Sequence, residues 1–157
     1  MKQDKFLTGI LIGIGVLILL ALGLFFTRQD KREYISEDNP EGVVHNYALA
    51  VLNKDYKKAY SYLADLEYKP TYEEFRQSFF NGTISQNNTS VDIGTTEING
   101  DEAIVNLSLL FSSGDPFSGG YENPDKALLI KQSGNWKLNS MPYTFWDYNW
   151  YQKPPTP

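Results

Sequence analysis

Near its N-terminus the chain carries an unbroken apolar run, Phe6 to Phe26 (FLTGILIGIGVLILLALGLFF), whose most polar members are Thr8 and four glycines. At ~1.5 Å of rise per residue such a helix reaches about 31 Å, the thickness of a hydrocarbon core. The run predicts a membrane-spanning anchor over 6–26 behind a short leader, 1–5. The competing reading is a cleaved signal peptide, whose apolar region usually covers ~7 to 15 residues and ends at a small-residue site. Here the run is longer and ends in Leu24, Phe25, Phe26 and Thr27, without an A-x-A pattern. Residues 27–39 (TRQDKREYISEDN) mix charge signs without apolar periodicity, which predicts a solvated linker or a frayed extension of the anchor helix.

Beyond the linker the period becomes helical. Asn39 can cap, with Pro40 at the first helical position, and Val43, Val44, Tyr47, Ala48 and Val51 fall on one face. Asp55 offers a second cap, before the stripe Tyr56, Ala59, Tyr60 and Leu63. Thr71 to Glu74 has the spacing of a capping box, Tyr72, Phe75 and Phe79 give that helix an apolar face, and Gly82 ends it. After about residue 88 the period becomes twofold. From Glu102 to Ser112, Ala103, Val105, Leu107, Leu109 and Phe111 share one side, the clearest strand in the chain. Asn99-Gly100-Asp101 tolerates positive φ, so Val91 to Ile98 should pair with this strand as a hairpin. A second hairpin joins Ala127–Gln132 to Trp136–Asn139 through Ser133-Gly134-Asn135, and 113–124 is expected as the loop between hairpins. Helices first and antiparallel strands afterwards make the fold class α+β.

Composition narrows the chemistry. A chain of 157 residues suits one domain, and the absence of cysteine excludes disulfides, thiol nucleophiles and lipid-attachment cysteines. One histidine excludes a His-rich metal site, and no cofactor is expected. Residues 1–34 carry five Lys/Arg and three Asp/Glu, a net of +2; the remainder carry nine and sixteen, a net of −7. An acidic body disfavours nucleic acid, which needs clustered Lys/Arg to neutralise phosphates. Lys2 and Lys5 with the terminal amine balance Arg28, Lys31 and Arg32 across the apolar run, so charge does not orient the anchor. The N-x-S/T triplets at Asn81, Asn87, Asn88 and Asn106 fit a chance origin in an Asn- and Thr-rich chain better than glycosylation.

The helix pair from Val43 to Leu63, the segment Asn99-Gly100-Asp101-Glu102-Ala103-Ile104-Val105-Asn106-Leu107 and the closing Ser133-Gly134-Asn135-Trp136-Lys137-Leu138 together resemble the nuclear transport factor 2-like, cystatin-like cone. The likeness covers about 40–142 and is nearest to small bacterial membrane-anchored or lipoprotein forms. It implies about three helices packed on a curved antiparallel sheet of about four strands, often dimeric, with a pocket between helices and sheet. It also implies a head outside the cytoplasm. The fold hosts isomerases, dehydratases, cyclases, adaptors and non-catalytic domains, so it does not select a function.

Isomerases of that fold resemble one another in placing an acidic base inside an apolar cavity. Here the expected inner face of the main strand is entirely apolar, and the facing of Asp92 and Glu97 is open. His45 stands alone beside the first helical stripe without a matched titratable partner. Tyr47 and Tyr60 can donate to a ligand, or can be core with a hydroxyl at the edge. Asp115, Glu122 and Asp125 do not match a calcium loop and read as solvated acids, while Lys54, Lys57 and Lys58 read as the wet face of the second helix.

The tail is the most unusual stretch. Tyr143 to Tyr151 (YTFWDYNWY) holds six aromatic residues in nine positions, ahead of a Pro-rich end within 143–157. Such rings must rest against something: the domain itself, or an envelope protein, a second copy, a glycan or the membrane interface. Trp146, Tyr148, Trp150 and Tyr151, with Tyr47 and Tyr60, are the expected contact residues. The sequence thus predicts a single-pass membrane protein, embedded in the bilayer through 6–26, that displays a non-catalytic binding or assembly module. The alternative is a small-molecule carrier or an isomerase- or dehydratase-like enzyme using the cone cavity.

Overall fold

The computed structural model describes residues 5–27, 33–86, 89–112 and 119–153, and divides into two units, 1–32 and 33–157. The first unit is one helix, α1 (Lys5–Thr27), and no residue from Phe6 to Leu24 is buried by protein. An apolar helix surface without a protein cover is stable in lipid rather than in water. By length and composition α1 can cross a bilayer, a character that signal sequences share. Leader residues 1–4, linker residues 28–32, Asn87, Asn88, loop residues 113–118 with Asp115, and tail residues 154–157 lie outside the described residues.

The second unit, the head, is α+β: helices α2 (Pro40–Leu52), α3 (Tyr56–Ser61) and α4 (Tyr72–Phe80), then strands β1 (Thr89–Asn99), β2 (Glu102–Phe111), β3 (Tyr121–Gln132) and β4 (Asn135–Ser140). The helix ends follow from their caps. Asn39 accepts from the Gly42 N–H at 2.7 Å, Asp55 from the Lys58 N–H at 3.1 Å, and Thr71 and Glu74 close a reciprocal box. The C-terminus of α2 closes as a Schellman turn, with the Lys54 N–H on the Val51 carbonyl and the Asp55 N–H on the Ala50 carbonyl. Lys54 occupies its left-handed position with φ 59°.

The expected one-sided stripe on α2 understates its burial: ten of its thirteen residues are inside. The sheet and α3 cover part of it, and residues 33–37 cover more. These last residues, expected as solvated linker, run along α2, where the fully buried Asn46 grips Ile35 by both backbone groups, accepting from its N–H at 2.9 Å and donating to its carbonyl at 2.8 Å. His45 Nε2–H donates to the Glu33 carbonyl at 3.1 Å, a further tie between α2 and this segment. Gly42 makes the approach feasible, since a Cβ there would lie 1.8 Å from the Ser36 carbonyl oxygen.

The four strands pair antiparallel in chain order. Ala103, Val105, Leu107 and Leu109 of β2 are buried, aligned with Ala127 and Leu129 of β3, and Leu138 of β4 extends the same core. Phe111, expected with them, is half-buried and stacks on Tyr121 at 4.7 Å. Asp92 and Glu97 pair with Ser108 and Ile104, which puts them on the face opposite the core. Gly94 and Thr95 face Asn106 as a bulge, and a Cβ on Gly94 would stand 3.1 Å from the Asn106 carbonyl oxygen. The two-residue turn at Ser133-Gly134 has positive φ at both positions, as a tight antiparallel hairpin requires.

The expected loop 113–124 is shorter than predicted. Tyr121 to Pro124 belong to β3 and pair with Phe111 to Ser108, so Glu122 and Asp125 are strand residues rather than loop acids. Pro124 can sit here because β4 pairs only with Leu128 to Gln132, leaving this half of β3 as an edge where a missing N–H goes unused. The free edge of β4 is covered: the Leu138 N–H donates to Tyr62 and the Ala64 N–H to Leu138, both at 2.8 Å.

Candidate functional site

The aromatic tail folds inward over α4 and the end of the sheet. Phe145, Trp146 and Trp150 are fully or almost fully buried, whereas Tyr143 and Tyr148 are exposed. Trp150 packs on Phe75 at 4.8 Å and on Trp146 at 4.9 Å, and Trp146 stacks with Tyr151 at 6.0 Å. Two of the expected contact residues, Trp146 and Trp150, are therefore inside the head, where they offer little surface to a partner. Tyr148 is open to one, and Tyr151 is half-buried.

The hydroxyls of these tyrosines are spent on the chain itself. Tyr47 is buried beside Trp146 and donates to the Phe145 carbonyl at 2.7 Å; burial pushes its phenol well above the ordinary range. Tyr60 donates to the Pro70 carbonyl at 2.8 Å, and Tyr151 to the Ala64 carbonyl at 2.6 Å. Burial raises both phenols, with Asp65 adding to the effect. Each stays a neutral donor at physiological pH, suited to holding a carbonyl and unsuited to accepting a proton. Tyr68 and Tyr151 both take left-handed backbone, and the Tyr151 N–H donates to the Tyr68 carbonyl at 3.1 Å.

Asp147 is the buried acid of the tail. Its carboxylate accepts from the Ser78 hydroxyl at 2.8 Å, the Asn149 N–H at 2.9 Å and the Asn149 side-chain amide at 2.8 Å. It thus closes the turn before Trp150 and ties the tail to α4. A cleft of about 550 Å³ beside it is lined by Lys69, Glu74, Ser78, Asp147, Trp150 and Lys153. A second, about 670 Å³, lies between α3, α4 and residues 82–86, with Lys54, Lys57 and Arg76 on its lining.

The space between α2 and the sheet, where the fold resemblance places a pocket, is occupied by Val44, Tyr47, Val51, Leu107, Leu109 and Phe145, each nearly inaccessible. Asp147 lies at the margin of this core.

Several residues of consequence carry no sequence signal. Asn46 reads as a surface amide on a helix, and Ser78 as a wet position on α4. Lys58 separates from its neighbours: it stands 4.5 Å over the Tyr34 ring and 3.5 Å from Glu37, whereas Lys54 and Lys57 turn toward the second cleft. Of the four triplet asparagines, Asn81 accepts from the Thr83 N–H, and Asn106 donates to Thr95 across the bulge.

No protein-family profile matches the chain, and no curated protein matches it. Among solved structures it is similar to a SEC-C motif containing protein from Rhodopseudomonas palustris, at 14% identity over 68% of this chain and 79% of that one, with a TM-score of 0.48. It is similar to a protein described as an NTF2-like transpeptidase from Campylobacter jejuni, at 18% identity over 64% and 96%, with a TM-score of 0.43. An uncharacterized cystatin fold protein from Novosphingobium aromaticivorans is similar at 10% identity over 68% and 100%, with a TM-score of 0.41. The nuclear transport factor 2-like and cystatin-like names met in the sequence recur among these structures.

Proposed function

We propose that the chain is a single-pass membrane protein whose head, displayed outside the cytoplasm, works as a non-catalytic binding or assembly module. The observation that carries this reading is the filled interior: Tyr47, Leu107, Leu109 and Phe145 occupy the place where an enzyme of this shape would hold its substrate and an inward acid. Asp147, the buried acid, has its carboxylate held by Ser78 and Asn149 in a structural turn. The apolar, uncovered surface of α1 supports the anchor. A carrier or isomerase reading would require the packed side chains to leave.

Alkaline carbonate extraction of membranes from cells making the full chain tests the anchor. The protein is expected in the pellet, and Leu17→Arg, which costs about 2.5–3.5 kcal/mol at mid-span, is expected to shift it to the supernatant. Because the chain lacks cysteine, Tyr148→Cys provides a single thiol at an exposed site. Labelling by an impermeant maleimide in intact cells is expected. Carbonate release of the parent protein, or labelling only after lysis, would overturn the reading.

A further inference from the structure

We infer that the groove between α3, α4 and residues 82–86 binds an amphiphilic phosphate, its charged end held by Lys54, Lys57 and Arg76 and its apolar part resting on Tyr72, Phe79 and Phe80. This deepens the binding-module reading and rests on it.

The charge distribution is the first argument. From residue 35 onward the chain has nine Lys/Arg against sixteen Asp/Glu, yet three of those nine cations converge on one concavity of about 670 Å³. The acid on its lining is Asp55, whose carboxylate is committed to the cap of α3. Arg76 touches Glu73 at 3.0 Å through one terminal nitrogen, an exposed pair of the kind that contributes little, while its Nε–H is buried without an acceptor among the described residues. A guanidinium engaged through only one terminal nitrogen is suited to the oxygens of a phosphate, and two ammonium groups beside it match a multiply charged head better than a single carboxylate.

Lys54 is the second argument. It holds the left-handed position that closes α2, where glycine or asparagine is the favoured residue and a lysine is strained. Its side chain lines the groove, so the position trades local stability for a charge at the rim. The walls are the third: Phe80 and Tyr72 are 64% and 39% exposed at the same place, an apolar surface that a bare inorganic ion would leave uncovered. A groove of this size suits a small molecule, and the acidic remainder of the head repels a polyanion.

The test is titration of the full-length chain in maltoside micelles with dihexanoyl phosphatidic acid, phenyl phosphate, inorganic phosphate and hexaglutamate, read by calorimetry and by the Arg76 Nε–H resonance. Both amphiphiles should bind more tightly than inorganic phosphate and weaken as salt is added. Lys54→Gly and Arg76→Gln should each weaken binding about tenfold, and Lys54→Gly should at the same time raise Tm, a combination that a merely structural lysine would not give. Tighter binding of phosphatidic acid assigns a lipid source, and tighter binding of phenyl phosphate a soluble one. Unchanged affinity in both variants, inorganic phosphate equal to the amphiphiles, or hexaglutamate binding more tightly would overturn the site. Membrane retention would be unaffected by such a failure, so this inference and the anchored-module reading fail separately.

Discussion

The Tyr47 hydroxyl donates to the Phe145 carbonyl at 2.7 Å inside the core, joining the first helix of the head to its final segment across 98 residues of chain. A hydroxyl and a carbonyl so placed have no access to water, and removing one strands the other. Tyr47→Phe is expected to keep the ring packing and lose about 1–3 kcal/mol of stability. A urea midpoint followed by tryptophan fluorescence checks it, since all three tryptophans are buried. An unchanged midpoint would show that Phe145 finds another donor.

The same bond makes the tail part of the core rather than an appendage. A chain ending at Pro142 loses Phe145, Trp146 and Trp150, each worth roughly 1.5–3 kcal/mol of burial. That sum matches the whole stability of many domains of this size. The truncated head is expected to lose its near-ultraviolet dichroism and to bind hydrophobic dye. A sharp thermal transition at the parent temperature would contradict the packing.

Asn46 predicts a local effect as well as a global one. Asn46→Ala removes both bonds to Ile35 and leaves that backbone pair without its partner. The expected loss is about 1–3 kcal/mol, with residues 33–37 becoming the first site of proteolytic cutting. Asn46→Asp, which keeps the acceptor but sets a buried carboxylate against the Ile35 carbonyl and Glu37, should destabilise at least as much.

Glu37 gives that segment a pH dependence. Its carboxyl sits below the ordinary value of 4.5, chiefly because the Tyr62 hydroxyl donates to it at 2.6 Å, with Lys58 and Asn46 contributing and burial opposing. A carboxyl lowered by folding stabilises the head fully above its unfolded value, and the contribution disappears as pH falls through the folded one. The difference in urea midpoint between the parent and Glu37→Gln should therefore be present at neutral pH and vanish in strong acid. A difference that persists there would assign the effect to shape rather than charge.

The helix ends were legible because their chemistry is local: Asn39, Asp55 and the Thr71–Glu74 box each act within four residues. The alternation through β2 was legible for a related reason, since one face of that strand meets the core along nearly its whole length. The misread segments depend on partners distant in sequence. Pro124 looks like a loop breaker until β4 is seen to stop at Ser140 without reaching it. Residues 33–37 look like free linker because Asn46, eleven residues after Ile35, supplies the partners of both its backbone groups. In the tail, composition required a resting place for the rings; only the fold separates buried Trp146 and Trp150 from exposed Tyr148. The basic groove was hidden because Lys54, in the turn after α2, and Arg76, on α4, lie 22 positions apart in sequence.

The bond between Tyr47 and Phe145 also sets an order of events during synthesis. α2 is made before every strand that packs on it, and the part of its flank that Phe145 and Trp146 cover has no partner until that segment has been made. Contacts of such long sequence separation are slow to form, and a nascent chain waiting for them is prone to aggregate. The core of the head therefore cannot close before residue 145 has been made, and until then this flank of α2 is open to contacts outside the chain.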